Sequence, residues 1–165
     1  MSITITLQDA NNDGTGINFL NYLGNYDSTF AISGPGAFNN PAAGPFSGTE
    51  FAIKNADAST SVVTGSATGN TLDYNFPTHT LEGSLDSVSF GSGVAYNGAT
   101  DSFDQTTDID ITGLGLTGTG PANDVHNVVN GLMNADTSAL LSQFDSGVTY
   151  VSSTGNDVMT GFAGV

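Results

Sequence analysis

The sequence predicts an α+β domain, a curved antiparallel β-sheet with helices packed on one face. Residues 2–112 contain a succession of short runs of β type, bounded by Gly, Asn, Thr or Pro. Apolar residues recur at helical spacing in residues 17–30 and again in residues 121–144. Meandering strands followed by helices describe segregated layers rather than alternating β-α-β units. At 165 residues the chain suits a single core.

Taken in order, Ile3, Ile5 and Leu7 alternate with polar residues and make residues 2–7 a half-buried strand. Asp9-Ala-Asn-Asn-Asp-Gly14 has the opening of a calcium loop, but the position that needs a bidentate Glu holds Leu20. An Asx-rich turn is therefore expected there. Ile17, Leu20, Tyr22, Leu23, Tyr26 and Phe30 predict one amphipathic helix over residues 17–30, broken near Gly24. Residues 33–48 form a long Gly/Pro-rich loop, a feature that in compact domains tends to be functional or disordered.

Strands follow over residues 49–54, 60–67, 71–76, 80–90 and 108–112, with short turns at 65–70 and 77–79. A second helix is expected over residues 121–133, with Val125, Val128, Val129 and Leu132 on one face. A third spans residues 136–144 and opens on an Asp136 cap.

Sixteen acidic residues against one base, Lys54, give a formal charge of −15. With nothing to neutralise phosphates, a nucleic-acid binder is excluded, and anionic lipid is a poor partner. A surface of one sign favours a soluble monomer. No run approaches the ~20 apolar residues that span a bilayer, so membrane insertion is not expected. No basic stretch leads into an apolar one at the N-terminus, so no Sec-type signal peptide is expected. The absence of cysteine leaves the redox compartment open.

The chemistry concentrates in residues 70–93, Asn-Thr-Leu-Asp-Tyr-Asn-Phe-Pro-Thr-His-Thr-Leu-Glu-Gly-Ser-Leu-Asp-Ser-Val-Ser-Phe-Gly-Ser-Gly. Two β-type runs flank a tight Phe76-Pro77-Thr78 connection, with Tyr74 before it and His79 after it. A phenol and an imidazole brought together across a turn can share one strong hydrogen bond. If the imidazole accepts the phenolic proton, the oxygen becomes a hard anionic donor suited to ferric iron. The same spacing also suits an ordinary strand-end tyrosine and a solvated loop histidine. His126, the other histidine, falls on the second helix, where a structural role is expected.

The run from Pro77 to Gly91 resembles the haem-iron segment of the secreted HasA-type hemophores. Phe46-Ser-Gly-Thr-Glu-Phe-Ala-Ile53, Tyr-Leu-Gly with Ser-Thr-Phe in the first helix, and Val-His-Asn-Val-Val-Asn-Gly-Leu-Met also resemble that family. The resemblance implies a hemophore-like fold, a ferric haem b cargo, Tyr74 as the iron ligand and His79 as its partner. Phe38, Phe46 and Phe76 are then expected to pack on the porphyrin. It further implies an extracellular protein that passes haem to an outer-membrane receptor, with host haem proteins as a source. Many members supply a second axial histidine from a loop. Here that position falls near Pro35, and residues 31–48 contain no His, Met, Tyr or Cys. Coordination through Tyr74 alone is therefore expected.

By the same resemblance, residues 1–150 are the haem-binding domain and residues 151–165 a C-terminal tail. Ser153-Thr-Gly-Asn-Asp-Val-Met-Thr-Gly-Phe-Ala-Gly-Val165 resembles the start of a calcium-binding nonapeptide repeat, or an export signal. An enzyme is not expected. There is no Gly-x-Ser-x-Gly elbow, and His79, Ser84 and Asp86 lie on one strand and cannot converge as a triad. No His/Cys cluster suits zinc, and no glycine loop suits phosphate. Two readings remain. One is a haem carrier; the alternative is a structural or adhesive module of a larger secreted repeat protein.

Overall fold

The computed structural model describes residues 2–10, 13–40 and 44–159. Its strands are β1 (Ile3–Leu7), β2 (Ala37–Phe38), β3 (Ser47–Gly48), β4 (Glu50–Lys54), β5 (Ser61–Gly65), β6 (Leu72–Asn75), β7 (Thr80–Asn97), β8 (Ser102–Gly118) and β9 (Val148–Val151). The helices are α1 (Phe19–Thr29), α2 (Asp124–Met133) and the short α3 (Ser138–Leu141), which runs into a 3₁₀ turn. The strands form one sheet in the order β2-β4-β5-β7-β8-β1-β9, with β6 pairing the start of β7 and β3 pairing β6. Pairing is antiparallel apart from β1 with β9. The expected α+β architecture is borne out.

Burial follows the alternation of the strands. Ile3, Ile5 and Leu7 of β1 face the core with Val88 and Phe90 of β7 and Ile109 and Ile111 of β8. α2 closes that layer with Val125, Val128, Val129 and Leu132, all buried. Asn123 caps the helix by accepting the His126 N–H at 2.9 Å. α1 buries Phe19, Leu23 and Tyr26, and the Tyr26 ring stands edge-on to Phe90 at 5.2 Å. The opposite face of the sheet is a polar groove with Ser87, Ser89, Gln105 and Thr107.

Several expectations need correction. α1 runs unbroken through Gly24, because burying three large side chains outweighs one exposed glycine. The Asx-rich loop is held by its own carboxylates: Asp9 accepts the Asp13 and Gly14 N–H groups at 3.2 and 3.0 Å, and Asp13 accepts the Thr15 N–H at 2.7 Å in the expected Asx manner, while residues 11 and 12 lie outside the described residues. β7 and β8 are much longer than expected and make one hairpin, 80–118. Its distal part is rich in Gly, Ser, Thr and Asp, which mimics turn composition. Three register shifts interrupt the pair, as bulges do where a long ribbon bends. β2, β3 and β9 were not expected. The third helix is shorter, and its N-cap is Thr137, with no side-chain capping bond, rather than Asp136, which sits one residue before it and accepts the Ser138 N–H on Oδ1 at 2.9 Å.

The described part of the C-terminal tail is fastened to the start of α1. The Asp157 carboxylate accepts the Ile17 N–H at 2.7 Å and both the N–H and hydroxyl of Ser153. Val158 bridges Asn18. A side chain at Gly16 would collide with the backbone of Asn156, so only glycine permits this approach. The repeat-like run continues into residues 160–165, which lie outside the described residues.

Candidate functional site

The site is built where β6 turns into β7. Tyr74 stands opposite Leu81 and Asn75 opposite Thr80 in that antiparallel pair. Between them the chain reverses through Phe76, Pro77 and Thr78, and His79 adopts φ 55°. This left-handed conformation, uncommon for a residue with a side chain, accompanies the return of the imidazole to the phenol. Tyr74 Oη and His79 Nδ1 lie 2.9 Å apart, with donor and acceptor set by the histidine tautomer.

Two contacts fix the turn from outside. Glu82 Oε1 accepts from Asn75 Nδ2 at 2.9 Å, Thr80 Oγ1 at 3.0 Å and the Gly120 N–H at 2.9 Å. The Gly120 N–H first, then these side-chain donors, hold the Glu82 carboxyl below its ordinary value. α2 supplies the second contact. Leu81 donates its N–H to His126 Nδ1 at 3.2 Å and accepts Asn123 Nδ2 at 3.1 Å on its carbonyl. The cap residue of α2 and a side chain from its first turn thus stand in for a neighbouring strand.

Tyr74 and His79 form part of a cavity of about 450 Å³. The 33–48 loop lines one side with Pro35, Gly36, Phe38, Pro45 and Phe46; the sheet adds Phe51 and Leu81, and α2 adds His126, Asn130 and Met133. The Tyr74 N–H donates to the Phe46 carbonyl at 2.8 Å, which ties the loop to the site strand. Phe46 and Phe76 are about half exposed, at 46% and 51%. Their rings meet edge-on at 4.4 Å, and Phe76 stands edge-on to Tyr74 at 5.0 Å. The lining is mostly apolar, with one phenol-imidazole pair placed in it.

The structure therefore brings Tyr74, His79, Phe38 and Phe46 to one cavity. Phe76 stands outside the lining and packs on Tyr74 and Phe46. His126 has the structural bond expected of it, and also lines the cavity. Sequence reasoning missed Leu81, Asn130 and Met133 as lining, and Glu82 and Asn123 as supports. Asn123 three positions before His126 was a legible cap pattern; nothing local marked its second bond to Leu81.

A family model described as heme-binding protein A (HasA) matches residues 1–163. The chain belongs to the HasA family. Hemophore HasA of Serratia marcescens is 36% identical to it over 139 residues, covering 76% of this chain and 72% of that relative. Two solved HasA structures from Yersinia pestis share the fold. The apo form has a TM-score of 0.69 at 22% identity, covering 96% of this chain and 98% of its own. The holo form has a TM-score of 0.71 at 22% identity, covering 96% and 100%. At that identity these two speak for the HasA fold alone.

Proposed function

We propose that this HasA-family chain is an extracellular haem-binding protein whose cavity takes ferric haem b, with Tyr74 as the iron ligand. One observation carries the reading. The Tyr74 hydroxyl lies 2.9 Å from the His79 ring nitrogen on the wall of a largely apolar cavity of a size suited to a flat ligand. An ordinary phenol holds its proton to a pH near 10. Ferric iron draws that proton off, and a neutral His79 accepts it or shares it in a short hydrogen bond. The resulting tyrosinate is a hard oxygen ligand that favours Fe(III). Phe38 and Phe46 offer packing for the porphyrin, and Phe76 braces Tyr74 from outside.

Every residue of this site lies within residues 1–150, taken as the haem-binding domain. Residues 31–48 hold no side chain that binds ferric iron well, so Tyr74 is proposed as the one protein ligand. Haem held through a single tyrosinate is retained while ferric and loosened by acid or reduction. That behaviour suits a monomeric carrier, not an enzyme, that hands its cargo to an outer-membrane receptor.

Tyr74→Phe tests the reading, since it deletes only the hydroxyl. Titration with ferric haem should show at least about a hundredfold weaker binding, with the fold intact by circular dichroism. Unchanged titrations would remove Tyr74 as ligand. A parent protein that produces no Soret shift would instead favour a structural module without cargo.

A further inference from the structure

We infer that the tip of the β7–β8 hairpin is a latch on the cavity, with Asp101 positioning the loop that carries Phe38 and Phe46. The inference rests on the haem-binding reading of that cavity. Past Gly91 on β7 and Thr107 on β8, the two strands pair with no third strand among the described residues. The ribbon nevertheless continues to a tip beside the loop.

There the contacts are dense. Asn39, next to Phe38, is 1% exposed. Its Nδ2 donates to Thr49 Oγ1 at 2.8 Å and to the Asp101 carbonyl at 2.7 Å. Its Oδ1 accepts the Glu50 N–H at 2.9 Å. The Asn40 N–H donates to Asp101 Oδ1 at 2.6 Å, and Tyr96 Oη donates to the same oxygen at 2.9 Å. Glu50 closes the circuit, its Oε2 accepting the Phe103 N–H at 2.6 Å. Gly48 gives Asn39 room, because a β-carbon there would lie 2.4 Å from the Asn39 Oδ1.

Asp101 itself adopts φ 51°, a conformation Asp tolerates better than most residues. Its ionised carboxylate makes charge-assisted bonds, the strong kind. Among the described residues of the loop, Asn39 and Asn40 are thus held by the hairpin, Phe38 by the β2–β4 pairing and Phe46 by the bond from Tyr74. The wall is set before cargo arrives. Cargo leaves at a rate governed by how often the latch opens, while the iron contact at Tyr74 is untouched by it.

Two variants isolate the carboxylate. Asp101→Gly removes it and suits the positive φ; Asp101→Asn keeps an oxygen acceptor. In the full chain without haem, amide hydrogen exchange over residues 36–40 should be about tenfold faster in Asp101→Gly and near the parent value in Asp101→Asn. With ferric haem bound, transfer to excess apomyoglobin should likewise be about tenfold faster for the glycine variant, with an unchanged Soret band. Unchanged exchange in Asp101→Gly overturns the latch. Faster exchange with an unchanged transfer rate overturns its control of the cargo. A parent that binds no haem defeats the haem reading and this control together, while the exchange arm still decides whether the hairpin holds the loop.

Discussion

His79 combines two demands at one residue: a left-handed backbone, and an imidazole nitrogen 2.9 Å from the Tyr74 hydroxyl. Replacing it by alanine would mix loss of the ring with backbone strain at φ 55°. His79→Gly is the cleaner probe, because glycine accepts that φ without cost. Without the ring, iron must displace the phenolic proton to water unaided, and protons compete directly with the metal. Haem affinity should fall about tenfold, and fall more steeply as pH drops from about 8 to about 5. Titrations across that range check it, and a pH profile like the parent's would uncouple His79 from Tyr74. The pair itself was legible, since five positions spanning a proline leave little room for anything but a reversal. Glu82 was not legible in its role. Its bonds to Asn75 and Thr80 are local, but the one to Gly120 crosses to the end of another strand.

At the scale of elements, the unbroken α1 yields a direct prediction. Gly24 is exposed in mid-helix, and a β-carbon there would meet nothing within 4 Å. Gly24→Ala should therefore stabilise the protein by about 0.5–1 kcal/mol, read as a higher urea midpoint at unchanged slope. Loss of stability would mean that the glycine serves a packing role not visible here. Periodicity located α1, α2 and the central strands because each presents an apolar face to one core. It failed for the outer hairpin, where Tyr96 and Phe103 pack on each other at 5.8 Å and most of the other residues are Gly, Ser, Thr, Asn or Asp. It failed also for β2 and β3, two residues each, whose existence depends on the partners Phe51, Ala52, Leu72 and Asp73. Such strands are fixed by tertiary pairing and leave no local pattern.

For the whole molecule, two phenols join the layers. Tyr26 donates to the Leu132 carbonyl at 2.5 Å, linking α1 to α2, and Tyr22 donates to Asp108 Oδ2 at 2.8 Å, linking α1 to β8. Burial raises both phenols far above their ordinary value, with Asp108 adding to the effect at Tyr22 and Asp27 at Tyr26. Groups raised in the fold contribute fully below the unfolded value near 10, and their contribution is lost as pH climbs past it. Stability should hold through neutral pH and decline above about pH 10, with a weaker decline in the Tyr22→Phe/Tyr26→Phe double variant. Urea unfolding at stepped pH measures both. The α+β layering was readable from the order of patterns; the β1–β9 edge of the sheet was not, because the parallel β9 joins β1 across more than a hundred and forty positions of sequence. That edge bears on timing. β1 lies between β8 and β9, and Ile17 is held by Asp157. A growing chain makes Ile3, Ile5 and Leu7 well before either partner, residues 109–112 of β8 and 148–151 of β9, so those residues wait without their sheet neighbours. The β1–β9 edge of the sheet is therefore completed only after Val151 has been made, and until then β1 lacks one of its two neighbours and lies open to whatever holds or moves the nascent chain.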